Sequence, residues 1–162
     1  MNSVRKILVP VDFSEDSANG LKYALSLAQE TQAELVVLYV AEKKEADHFF
    51  CLLASMEAWP MPNVSTGIPI DQLVREKALD LHYFIQQHAR NPGAVKIRKR
   101  VVVGKKSRQI LEVAREENVD LVVLAFPRQS LLRYLIARRR VLKAIPNFPC
   151  PVLLKPPVPS LA

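Results

Sequence analysis

Glycine is scarce in this chain. There are four glycines in 162 residues, and none follows Gly104. The loop after the apolar run DLVVLAF therefore has no glycine with which to bring backbone N–H groups up to a phosphate. Cysteine is scarcer: Cys51 and Cys150 form no disulfide framework, and a cytoplasmic protein with reduced thiols is expected. No apolar run is long enough to cross a bilayer, so no membrane partner is expected. The opening MNSVRKILVPVDFSEDS reads as no signal peptide, because its short apolar run meets Asp12 with no small-residue cleavage site. His48, His82 and His88 lack metal-ligand spacing. Ser14 and Ser107 stand in no recognisable Ser-His-Asp context and read better as helix caps. No catalytic constellation is present.

What is present is core and charge. Apolar residues make up 49% of the chain and the net charge is +7, a composition that argues against disorder. The length fits one domain, expected over 1–162. The charge is clustered. The run from Lys96 to Arg108 holds seven basic residues and no acid, and Arg128 to Lys143 is equally free of acids. Such runs suggest an anionic partner, against the plainer reading of a solvated basic face.

The apolar pattern alternates between two periods. RKILVPV (5–11), ELVVLYV (34–40), KIRKRVVV (96–103), DLVVLAF (120–126) and CPVLL (150–154) read as strands. The charged first half of the third suggests an edge or solvated position. Between them lie helical stripes: Ala18, Leu21, Leu25 and Ala28; Ile70, Leu73, Val74, Ala78, Leu81 and Ile85; Ile110, Leu111 and Ala114; and Leu132, Leu135, Ile136, Leu142 and Ile145. Strands alternating with helices predict an α/β fold, an open parallel sheet covered on both faces. The tail at 156–162 is too proline-rich to join a sheet interior.

Three segments together resemble the universal stress protein family: KILVPVDFSEDSANGLKYALSLA, VVVGKKSRQILEVAREENVDLVVLA and NFPCPVLL. The resemblance covers nearly the whole chain. It implies a Rossmann-like five-stranded parallel sheet in the order 3-2-1-4-5, with a ligand crevice between the carboxyl ends of strands 1 and 4. ATP-binding members carry there a glycine, two residues, a second glycine, nine residues, then a third glycine followed by Ser or Thr. Aligned from the Cys150-Pro151 ending, those glycine positions hold Ala125, Arg128 and Arg138, and the Ser/Thr position holds Arg139. All four depart. Asp12 matches the family's nucleoside-contacting acid, Val40 the position whose backbone reads adenine, and Gly104 the glycine after strand 3.

The resemblance thus implies a non-enzymatic stress-response or regulatory protein whose nucleotide site is degenerate. The alternative is a sensor of a nucleotide or other anionic ligand through an arginine-rich crevice, since the planar guanidinium fork suits phosphate. Arg139 falls near the expected sheet-facing stripe, where it requires a carboxylate or a bound anion. No tightly held cofactor is expected; ATP, AMP or phosphate are the ligands left open. Nucleic acid is not expected, because neither aromatic interleaving nor a helix-turn-helix pattern accompanies the basic runs. A homodimer through the edge strand Cys150 to Leu154 is implied. A variable apolar insert at 41–69, with Phe49, Phe50 and Trp59, is expected to form a short helix near 46–58, a lid or a partner surface.

Overall fold

A computed structural model of the chain describes residues 3–42, 44–45, 68–126 and 131–157. Strands β1 (Lys6–Val11), β2 (Glu34–Ala41), β3 (Ile97–Val103), β4 (Leu121–Ala125) and β5 (Val152–Lys155) form one sheet. Its order is β3-β2-β1-β4-β5 and every pairing is parallel, as the resemblance implies. Helices α1 (Glu15–Thr31), α2 (Ile68–His88), α3 (Lys106–Glu116) and α4 (Leu131–Ala144) connect the strands, and a 3-10 turn, Ile145–Asn147, leads into β5. Arg128 and most of the insert, with Phe49, Phe50 and Trp59, lie outside the described residues.

Side chains alternate across the sheet and build two cores. Ile7, Val9, Val11, Val37 and Tyr39 face α1 and α2, meeting Leu21, Leu25, Leu73, Leu81 and Phe84. Leu8, Val36, Leu38 and Val122 point the other way and meet Ile110, Val113 and Ala114 of α3. Each fully buried aliphatic side chain contributes roughly 1.5–3 kcal/mol, so the sheet centre is the most strongly fixed part of the fold.

Two readings of the sequence need correction. Three members of the stripe expected to bury α4 do not: Leu135, Ile136 and Leu142 are 55%, 47% and 48% exposed. Among the described side chains of this helix, the half-buried ones are Val141 and Ala144. Arg139, placed by the sequence beside a buried stripe, is exposed with it. Nor does Ser107 cap α3. That position belongs to Lys105, which makes no side-chain capping hydrogen bond, and Ser107 lies inside the first turn. Ser14 does cap α1, accepting from the Ser17 N–H at 3.2 Å.

The first basic run is largely consumed within the fold. β3 is an edge strand, and its cations reach across the sheet to carboxylates. Arg98 Nε lies 3.0 Å from Glu34, and Arg98 Nη1 donates to Glu117 at 2.9 Å. Arg100 pairs with both Glu116 and Glu117, Lys96 with Glu34, and Arg108 with Glu112. Glu117 is buried at the end of α3, and Lys6 approaches it at 3.6 Å. Burial pushes the Glu117 carboxyl up, but Arg100, Arg98 and Lys6 outweigh burial and hold it below the usual range.

Candidate functional site

Strands β1 and β4 are neighbours whose chain connections leave in opposite directions, and such a switch point opens a crevice at the carboxyl end of an α/β sheet. A cavity of about 870 Å³ occurs at that place. Its floor is Pro10 and Val11 of β1 with Leu124 and Ala125 of β4. Ile110, Val141, Ala144 and Phe148 add apolar wall.

The β1 side is tightly wired. Asp12 follows the strand directly. Its carboxylate accepts from the Ser14 N–H at 3.1 Å and from the Ser14 hydroxyl. The Asp12 N–H donates to Ser17 Oγ, and Lys106 Nζ stands 3.9 Å from the carboxylate. Burial raises this carboxyl, but the two Ser14 bonds and Lys106 prevail and keep it ionised below the usual range.

Between Asp12 and Ser14, Phe13 takes φ 65°, a left-handed conformation that is strained for a bulky residue. Packing holds it there. Its ring stacks on Tyr39 with centroids 4.4 Å apart, and Phe84 meets it edge-on at 5.4 Å. The Tyr39 hydroxyl donates to Glu45 at 2.8 Å. Sequence reasoning missed Phe13. The available signal was a large aromatic between two polar turn residues, where no amphipathic pattern demands one.

The β4 side is packed against α1. A Cβ added at Gly20 would stand 2.7 Å from the Cβ of Ala125. Gly20 therefore sits in mid-helix, at a cost of about 1 kcal/mol relative to alanine in an open helix, because Ala125 occupies the space opposite. Gly20 thus accommodates the Ala125 methyl group.

Cations from two helices line the opening: Lys105 and Lys106 at the start of α3, Arg140 and Lys143 near the end of α4. The carboxylates present are Asp12, Asp16 and Glu42, and Glu42 also pairs with Lys44 at 2.9 Å. Of the residues singled out from sequence, Asp12 and Ala125 line the crevice. Arg138 and Arg139 are exposed and lie off its wall; Arg140 takes that place. Successive helical residues are about 100° apart, so one step along α4 decides which arginine turns inward. Val40 is buried in β2 and Gly104 hydrogen-bonds to the Ala41 carbonyl at 2.9 Å. Neither reaches the wall, whereas Glu42 and Lys105 just beyond them do. Among the described residues no three His, Cys, Asp or Glu side chains converge on a metal-sized site.

The Universal stress protein family matches residues 3–156. Universal stress protein MJ0531 of Methanocaldococcus jannaschii is 26% identical over 153 residues, covering 94% of this chain and 82% of that protein. The solved structure of protein MJ0577 superposes with a TM-score of 0.69 at 21% identity, over 98% of this chain and 100% of the other. A universal stress protein in complex with cAMP superposes with a TM-score of 0.63 at 18% identity, over 97% and 100% of the two chains. These two superpositions speak to the fold; the match over 3–156 speaks to descent. The chain belongs to the Universal stress protein family.

Proposed function

We propose that this protein is a non-enzymatic, ligand-responsive regulator whose crevice takes a compact anion, such as phosphate or a nucleoside monophosphate, and has lost the triphosphate wrap. The observation that carries the reading is the crevice itself. It remains open at about 870 Å³, yet Lys105, Lys106, Arg140 and Lys143 surround its mouth. A sequence that had abandoned the site would gain stability by filling this volume with apolar side chains. One of the structural neighbours was solved with cAMP, which fits a crevice of this class.

Triphosphate binding through a glycine loop requires backbone N–H groups to approach the oxygens closely. On the alignment from the Cys150-Pro151 ending, the glycine positions hold Ala125, Arg128 and Arg138, so the sequence supplies no such loop. Cationic side chains reach a compact anion from farther out and need no such loop. Asp12 is committed to Ser14 and Lys106, so it orients the β1 turn and leaves Lys106 at the mouth. On the described wall the Ser14 hydroxyl is held by Asp12 and caps α1, and no histidine joins the pair, which favours binding over turnover.

We further propose a cytoplasmic homodimer through β5. Its sequence from Val152 to Leu154 is apolar and uncharged at a sheet edge, and such edges attract a partner strand. Two copies can pair antiparallel about a two-fold axis. Val152→Lys should leave a folded monomer in size exclusion. A dimer that survives this change refutes the β5 interface.

The test of the ligand reading is thermal stabilisation by phosphate and AMP. Wild type should rise in Tm with either, and Arg140→Ala and Lys106→Ala should each reduce the rise. Equal stabilisation of both variants and wild type would show that no such cationic site exists.

A further inference from the structure

The net charge of this molecule belongs to one end of it. All 16 acidic residues and 16 of the 23 basic ones precede Phe126. The whole excess of +7 therefore lies between Phe126 and the C-terminus, a stretch without a single carboxylate side chain. Within it, α4 turns Leu135, Ile136 and Leu142 outward, each about half exposed, beside the exposed Arg138 and Arg139. Leu135 and Leu142 lie two turns apart on one side of the helix, with Arg138 and Arg139 on its flanks. Among the described residues, no carboxylate pairs with Arg138 or Arg139.

A fold that needed α4 only as sheet cover would bury the leucines and leave polar groups outside. Here apolar and cationic groups share the outer surface. A second copy of the chain is a poor occupant, because a two-fold contact across α4 sets Arg138 and Arg139 against their own kind. A nucleic acid would satisfy the arginines and leave the leucines in water. An anionic bilayer surface satisfies both: headgroup phosphates take the guanidinium groups, and the acyl boundary takes the leucine tips.

We propose that the outer face of α4 is a contact for anionic membrane surfaces. The helix lies in the headgroup plane, Leu135 and Leu142 enter the acyl boundary, and Arg138 and Arg139 bind lipid phosphate. This goes beyond the ligand reading of the crevice and uses different residues. It revises the expectation that no membrane takes part, which rested on the lack of a spanning run. That lack stands: no described helix is long and apolar enough to cross a membrane, and a surface contact needs none.

Co-sedimentation with vesicles tests it. The full chain should bind equimolar phosphatidylglycerol–phosphatidylcholine vesicles at low salt and leave pure phosphatidylcholine vesicles unbound. Removing two surface cations in the double variant Arg138→Gln, Arg139→Gln should weaken partitioning about thirtyfold. The double variant Leu135→Ser, Leu142→Ser should weaken it about tenfold or more, with circular dichroism confirming that it folds. Absence of binding to anionic vesicles at low salt overturns the proposal. So does binding that ignores the leucine variant, since adsorption by charge alone needs no leucine. Concentration-dependent self-association that the leucine variant abolishes, without vesicle binding, assigns the face to a second copy and also overturns it.

Discussion

The two basic runs look alike in sequence and have opposite fates. In the first, Lys96, Arg98, Arg100 and Arg108 are paired with Glu34, Glu117, Glu116 and Glu112. Those acids come from β2 and α3, far from the run or a helix away from it. In the second, among the described residues, no carboxylate pairs with Arg138 or Arg139. Clustered charge therefore reports a partner only after the fold has had the chance to supply one. Most of the first run is structural, with Lys105 and Lys106 left at the crevice, and the second acts outward, at the crevice through Arg140 and Lys143 and on the surface through Arg138 and Arg139.

The largest expected effect lies in the paired run. Glu117→Ala leaves Lys6, Arg98 and Arg100 without their shared anion and should destabilise by about 3 kcal/mol, the low end for a broken buried pair because the cations can reach water. Chemical denaturation checks this. A cost below about 0.5 kcal/mol would place the network among ordinary surface pairs.

Gly20→Ala probes the contact between α1 and β4 beside the crevice. Overpacking against Ala125 should cost about 2 kcal/mol, although alanine is the better helix former. Adding Ala125→Gly should restore most of the loss. An unaltered Tm in the single variant would show that α1 shifts freely.

Acid separates the regions as well. Glu117 and Asp12 both titrate below the ordinary carboxylate range in the folded chain. Each therefore contributes stability above its unfolded pKa, near 4, and loses that contribution as pH falls through the lower folded value. Melting temperature should fall below about pH 4 in wild type. Glu117→Gln should flatten that decline, and Arg138→Gln should not.

The smallest effect is on stability in the free run. The double variant Arg138→Gln, Arg139→Gln should stay within about 0.5 kcal/mol of wild type, as exposed substitutions do. A larger loss would mean that these arginines hold the fold together after all.

Strand positions were legible because buried parallel strands leave apolar runs that helices interrupt, whereas the sheet order followed from the family resemblance. β1 is KILVPV and β4 is LVVLA, each nearly apolar on both faces. The helix α4 was legible, but the exposure of Leu135, Ile136 and Leu142 was not, since helical periodicity marks an apolar face without saying whether anything covers it. The crevice was legible in place and not in detail. Asp12 and Ala125 follow from strand ends. Arg140 in place of Arg138 or Arg139 depends on a rotation of one residue about the helix axis, and no alignment through a glycine-free loop fixes that. Phe13 was hidden because its strained backbone is held by Tyr39 and Phe84, distant partners in the chain.

Crystals grown with AMP test the central claim most directly, through the electron density in the crevice between Asp12 and Arg140. The account predicts a phosphate group held by Arg140 and Lys106 at the mouth, and no ordered triphosphate in parallel crystals grown with Mg-ATP. A triphosphate ordered along the loop after β4, or a dry crevice closed by side chains in both crystals, would contradict it.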